Sequence, residues 1–314
     1  MRIALDVMGG DHHPEAPVQG ALSARRRLPA SVTLVLVGEE EKLRQHVANA
    51  GGTPEDFEYL HATDVISMKE SGSKAAVGKP ESTIVKGMQA AAAGELDAFV
   101  SAGNTGAMLV SAVVHLGLYE GLVRPTVGAL YPHHGRFSFI CDVGANLGAK
   151  ADALVQFGEL GSIFMETLFG VQNPSVALLN VGEEPSKGTE AVQQAYAKYE
   201  ENPRVNFLGN AEGWELAEGK ADVFVCDGFV GNIILKYSEG LYPIFKNKLP
   251  QDEEVEAMNF EQIGGLPFLG VKGTVIVGHG RSGALAYENM LVRAEEIVRN
   301  QLNVRIQELL AKQA

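Results

Sequence analysis

Short unbroken apolar runs alternate with longer amphipathic ones along nearly all of this chain, and no other feature restricts its fold as much. The strand-like runs are RIALDV (2–7), VTLVLVG (32–38), DAFVSAG (97–103), SFICDVG (138–144), SVALLNVG (175–182), VNFLGN (205–210), DVFVCDG (222–228) and TVIVGHG (274–280). Helical periodicity falls between them at 39–50, 83–93, 105–118, 152–169, 190–199 and 282–302. In the last of these, Tyr287, Met290, Leu291, Ala294 and Val298 make one stripe. Strands without polar alternation are covered on both faces, so the pattern predicts an α/β fold with a mostly parallel sheet. A single domain over 1–314 is expected, with a surface excursion near 240–265. There KNKLPQDEEVEAMNFEQIGG (246–265) turns acidic.

In such sheets, ligands bind outside the carboxyl ends of the strands. Six of these ends combine a polar residue with small ones. Asp6 leads to MGGD, Ser101 to AGNTG, Asp142 to VGANLG, Asn180 to VGEE, Asp227 to GFVGN and Gly278 to HGRSG. Turn chemistry explains any one of them, since glycine reaches φ > 0 and Asp or Asn caps a turn. Six together predict the walls of a cleft, because small residues let backbone approach a ligand and helix starts offer N–H groups to anions.

Composition narrows the function. The net charge of −13 lacks the basic footprint of nucleic-acid binding, so nucleic acid is not an expected partner. An anionic substrate then needs local positive charge, for which Lys236, Lys246, Lys248, Lys272, Arg281 and the triplet Arg25-Arg26-Arg27 are candidates; a solvated helix face accounts for the triplet. Apolar runs fall short of the roughly 18 residues of a membrane span. The start MRIALDVMGGD meets an acid at Asp6 and holds no signal-peptide core, so a cytoplasmic protein is expected. Cys141 and Cys226 have no metal spacing and read as buried thiols. Neither His12-His13 nor His133-His134 makes a natural ligand pair, because adjacent side chains point apart. No metal and no cofactor are expected.

GHGRSG (278–283) has the local grammar of a dinucleotide fingerprint, but the second strand and acid that should follow are replaced by helix to the end. The alternative is an anion cradle with Ser282 as N-cap and Arg281 as charged donor, set against a plain strand–helix turn. His279, between two glycines of this loop, could protonate a leaving group. Lys187 in NVGEEPSKG (180–188) sits before a helix start, where a cation opposes the dipole; it reads either as functional or as a solvated lysine.

Taken in order, IALDVMGGDHHPEAPV, DAFVSAGNTGAM, CDVGAN, LLNVGEEPSKGTE, NFLGNAEG, ADVFVCDGFVGNIILKYSEG and VKGTVIVGHGRS resemble the bacterial phosphate acyltransferases called PlsX over nearly the whole chain. The resemblance implies transfer of a long-chain acyl group from acyl-carrier protein to inorganic phosphate, giving an acyl phosphate for phospholipid synthesis. It implies a three-layer α/β/α Rossmann-like fold akin to phosphotransacetylases and isocitrate dehydrogenase-type enzymes, a homodimer, and peripheral contact with the inner face of the membrane. Two departures stand out. KAAVGKPESTIVKG (74–87) replaces an Arg-containing stretch leading to Asp-Ser-Ser, keeping Ser82 and Thr83 as a hydroxyl pair with Lys79 as the basic residue. The segment from Asn232 to Gly264 is shorter than in many relatives. LYPIF (241–245) and LPFLGV (266–271) are the apolar candidates that remain for partner or membrane contact, and ordinary core or dimer burial explains them as well.

On this reading phosphate attacks the thioester directly, with catalysis by positioning and oxyanion stabilisation. Lys187, Asn232 and His279 are the expected catalytic residues. Phosphate and substrate are expected at Asp6, Gly9, Gly10, Asp11, Ser82, Gly103, Asn104, Thr105, Gly106, Asp142, Asn146, Asp227, Gly228, Gly231, Gly280, Arg281 and Ser282. The backbone of 228–231 is expected to face the carbonyl oxygen, with Asp227 orienting that loop and Phe229, Ile233 and Ile234 beside the acyl chain. Three other readings compete: a short-chain acyl-CoA phosphotransacetylase, an NAD-dependent metal-assisted dehydrogenase, and a non-catalytic binder of acyl thioesters.

Overall fold

A computed structural model describes residues 1–311. In chain order the strands are β1 (Arg2–Asp6), β2 (Thr33–Gly38), β3 (Glu58–His61), β4 (Ala98–Ser101), β5 (Thr126–His133), β6 (Arg136–Cys141), β7 (Ser175–Leu179), β8 (Asn206–Ala211), β9 (Val223–Val225), β10 (Gly265–Leu269) and β11 (Thr274–Gly278). The chain divides into two compact units. The first holds Met1–Leu118 and Phe260–Asn303; the second holds Tyr119–Asn259 and the chain from Val304.

In the first unit the strand order is β3-β2-β1-β4-β11-β10. All neighbours run parallel except β10, which is antiparallel to β11. Residues Ile3 to Asp6 of β1 and all of β4 are buried without alternation, so both faces are covered. Helices Glu15–Arg27 and Ala284–Arg299 pack on each other, and the second of them lies on β1, β4, β10 and β11; helix Thr83–Ala92 lies on β1, β2 and β4. The sheet order brings the carboxyl ends of β1, β4 and β11 side by side.

The second unit has the order β5-β6-β9-β7-β8, parallel except for the β5–β6 hairpin. His134 and Gly135 close that hairpin, both at positive φ as a two-residue turn requires. Helix Ala151–Phe169 packs on β6, β7 and β9, and helix Glu190–Glu200 lies on it. Here the carboxyl ends of β6, β9 and β7 are neighbours. The segment expected as an excursion is helical: Gly228–Lys248 runs 21 residues through Pro243, and Glu253–Ala257 and Phe260–Ile263 follow. LPFL of the apolar candidates is buried as β10. Among the described residues no helix is long and apolar enough to cross a membrane.

His133 closes β5 in a buried polar chain. Ser138 Oγ donates to the Ala221 carbonyl (2.6 Å), so His133 Nε2 donates to Ser138 Oγ (2.9 Å), leaving Nδ1 as a buried acceptor with no partner. Burial, then Arg136 and His134, push the His133 pKa below its ordinary value, opposed by Asp222 and Glu254. The neutral ring therefore stabilises the fold at neutral pH, and that contribution is lost as pH falls through the lowered folded-state pKa. Urea midpoints from pH 7.5 to pH 5 should fall more steeply for the wild type than for His133→Gln; parallel slopes would contradict the assignment.

Candidate active site

In the first unit three strand ends are laced into one edge. The Asp6 carboxylate, buried at the end of β1, accepts from Ser101 Oγ at the end of β4 (2.7 Å) and from the Met8 N–H (3.0 Å). Ser101 Oγ in turn accepts from the Gly103 N–H (2.9 Å). Burial raises the Asp6 pKa against the hydrogen bonds of Ser101, Thr83 and Met8, which lower it. Gly9 lies against this knot: a methyl there would stand 2.7 Å from Asp6 Oδ2 and 2.8 Å from the Gly103 nitrogen. Tyr287 donates to the Gly9 carbonyl (2.7 Å), and the Asp11 N–H donates to the Gly280 carbonyl (2.7 Å), joining the loops of β1 and β11.

The remaining expected residues of this unit divide by exposure. Gly10 is buried beside Tyr287, and Ser82 is a buried N-cap accepting from the Val85 N–H (3.4 Å). Asn104 caps helix Thr105–Ser111 through the Ala107 N–H (3.0 Å) and donates to the carbonyls of Ser67 and Glu70, both at 3.0 Å. Thr105, Gly106 and Arg281 are exposed.

The cradle at 278–283 differs from expectation. Ser282 is not the N-cap; Gly283 is, with no side-chain bond of its own, and Ser282 Oγ is buried without a partner. Its N–H groups are engaged: Arg281 N–H with His279 Nδ1 (3.1 Å), Ser282 N–H with the His279 carbonyl (2.9 Å), Gly283 N–H with Glu261 Oε1 (2.9 Å). Two of these donors fold back on His279 and the third goes to Glu261. One chemical consequence is useful. With Nδ1 accepting, the neutral His279 ring carries its proton on Nε2.

In the second unit Asp142 is fully buried at the end of β6. It accepts from Thr126 Oγ1 (2.9 Å), from the N–H groups of Gly144 and Ala145 (2.7 Å each), and from Asn146 Nδ2 (2.9 Å). Asp227, after β9, caps helix Gly228–Lys248 through the Phe229 N–H (2.9 Å) and takes the Ala149 N–H (2.7 Å). The Gly228 N–H donates to the Asn146 carbonyl (2.9 Å), and Gly231 sits so tightly on the Asp142 carbonyl that a side chain there would overlap it. Aspartate, glycines and helix start thus fit two loops into one close-packed wall.

That fit corrects a second expectation. The N–H groups of Gly228, Phe229 and Gly231 are used within the wall and do not face outward. Asn232 is exposed; its Nδ2 gives one proton to the Val143 carbonyl (3.1 Å), and an amide nitrogen carries two. Lys187 is exposed on the loop after β7, 3.9 Å from Glu184, and its backbone carbonyl accepts from Asn180 Nδ2 (3.1 Å). Lys236 and Lys246, candidate local charges, are paired with Glu239 (3.0 Å) and Glu256 (2.5 Å). Burial pushes both cysteine thiols up, Cys141 and Cys226 alike, leaving them inert. Sequence reasoning left Thr126 and Tyr287 out of the site, since their partners lie 16 and 278 residues away. Among the described residues no three of His, Cys, Asp and Glu gather as a metal site.

The family described as "Fatty acid synthesis protein" matches residues 1–305. A relative from Dictyoglomus turgidum named "Phosphate acyltransferase" is 40% identical, with 99% of this chain and 98% of its own length aligned. Among solved structures, a phosphotransacetylase from Streptococcus pyogenes superposes with TM-score 0.67 at 17% identity, covering 95% of this chain and 94% of its own. A 4-hydroxythreonine-4-phosphate dehydrogenase from Klebsiella pneumoniae gives 0.55 at 14%, covering 95% and 99%. At those identities the likeness is one of fold.

The two aspartates should differ in what they cost when removed. Asp142→Ala strands several buried donors, each worth about 1–3 kcal/mol, so a loss above about 3 kcal/mol is expected. Asp227→Ala removes mainly a cap and should cost about 1 kcal/mol. Urea denaturation of both variants checks the order; equal losses would contradict it.

Proposed function

Because the chain belongs to the fatty acid synthesis protein family, we propose that it moves a long-chain fatty acyl group from acyl-acyl-carrier protein to inorganic phosphate. It is an acyltransferase enzyme. The full-length match to the relative named phosphate acyltransferase carries this reading. A phosphate oxygen bonds to the thioester carbon, a tetrahedral oxyanion forms, and the carbon–sulfur bond breaks to give acyl phosphate and a thiol. Phosphate is already an anion at neutral pH, so the reaction needs no base to make its nucleophile.

The residues fall to three tasks. In the first unit the loops at 9–11, 103–106 and 278–282 are the phosphate-holding elements, and in the second unit Lys187 is the exposed ammonium that suits an anion. Asn232 donates its second amide proton to the oxyanion, in place of the N–H groups of Gly228, Phe229 and Gly231 that the wall itself uses. His279 gives its Nε2 proton to the departing sulfur. Asp6, Asp142, Asn146 and Asp227 hold loops in shape rather than touch substrate. The acyl chain runs over apolar side chains that the second unit exposes: Phe229 at 61% and Ile233 at 53%. A homodimer, cytoplasmic residence and a peripheral membrane contact belong to the same reading. The helix Gly228–Lys248 supports the contacts, since Val230, Ile233, Tyr237 and Ile244 are exposed along it.

Pure protein with a long-chain acyl-carrier protein and labelled phosphate should yield a hydroxylamine-sensitive acyl phosphate. Preference for acetyl-CoA would transfer the protein to short-chain chemistry, and thioester binding without turnover would make it a non-catalytic binder. Asn232→Ala should lower kcat by roughly 10²–10³, the usual loss of one oxyanion donor. Less than tenfold would remove Asn232 from that role. Lys187→Ala should raise KM for phosphate or lower kcat, and wild-type kinetics in a folded variant would release Lys187.

A further inference from the structure

We propose that Glu261 is the positioning residue of the His279–Ser282 loop, acting through the Gly283 N–H. This rests on the phosphate-transfer reading for its kinetic consequence, although the geometry stands by itself.

The helix Ala284–Arg299 begins directly after this loop without a side-chain cap of its own. A carboxylate from 22 residues upstream does that work: Glu261 Oε1 accepts from the Gly283 N–H at 2.9 Å. Negative charge at a helix start is the favourable sign, and a charged acceptor makes the stronger bond. Glu261 is itself held. Its carbonyl accepts from Asn289 Nδ2 (2.9 Å), Asn289 Oδ1 accepts from Arg27 (3.0 Å), and Arg27 also pairs with Glu288 (2.8 Å). The adjacent Phe260 ring lies 5.3 Å from the His279 ring.

Within the loop Arg281 and Ser282 donate to His279, which fixes the shape of the turn. Two bonds tie the turn to its surroundings, from the Asp11 N–H to the Gly280 carbonyl on one side and from the Gly283 N–H to Glu261 on the other. The segment opening at Phe260 therefore sets where His279 Nε2 and Arg281 stand relative to β11. Arg27, one of the triplet assigned to a solvated face, is the far anchor of that chain.

The test separates placement from general stability. Glu261→Ala should raise KM for phosphate or lower kcat/KM by between about tenfold and a hundredfold, as small misplacements do, with the fold intact. Glu261→Gln keeps an acceptor for Gly283 and should recover most of that loss. Gly283→Ala drives a methyl into the same carboxylate and should reproduce the defect. An unchanged KM and kcat/KM in Glu261→Ala overturns the proposal, as does a loss of kcat alone that tracks the folded fraction. The ¹⁵N shifts of the His279 ring give a readout apart from turnover: Glu261→Ala should move them and Glu261→Gln should not. A wild type that consumes no thioester with phosphate refutes the reaction, whereas unmoved His279 shifts refute the anchor.

Discussion

A carboxylate buried at the end of a parallel strand is the interaction on which each unit is organised. Strands covered on both faces have no room for polar groups along their length, so polar residues collect where the chain leaves the sheet. Asp6 is the last residue of β1 and Asp142 the first past β6, and both are almost wholly buried. Such groups are tolerable only when hydrogen-bonded, and each recruits a hydroxyl from a neighbouring strand: Ser101 for Asp6, Thr126 for Asp142. The remaining lone pairs bind loop N–H groups, so the cost of burial becomes the means of fixing the loops.

The fold was legible because its signal is periodic. Apolar runs of about six residues and stripes at helical spacing located β1, β2, β4, β6, β7, β8, β9 and β11 and most long helices. What escaped was short, interrupted or at an edge. β5 carries Gly128 and Pro132, which break the apolar run TVGALYPH. β10, with Pro267, did not read as a strand, and β3 is four residues long. The division into two units is invisible to periodicity, since the chain returns to the first unit at Phe260 without a linker composition.

The site was legible as a set of loops but not as a set of bonds. Glycine with a polar residue marks a tight turn, and the six such turns follow β1, β4, β6, β7, β9 and β11. The sequence could not say where each N–H would point. Local donors went to local acceptors: His279 took the Arg281 N–H, and Asp227 took that of Phe229. Long-range partners carry no local signature either, which is why Thr126, Tyr287 and Glu261 stood apart from the motifs they serve.

This division of labour has a chemical consequence. An oxyanion hole built from backbone needs N–H groups left over after folding, and the walls at 228–231 and 281–283 leave few. In the proposed reaction the chemistry therefore falls to side chains. Asn232 spends one amide proton on Val143 and keeps another, and Lys187 brings three to an ion pair only 3.9 Å close. His279 accepts at Nδ1, so its neutral ring carries the proton on Nε2. Rigid glycine walls with a few proton-rich side chains suit a reaction whose nucleophile arrives already ionised, because holding that anion and meeting the charge it creates is the whole of the catalytic task.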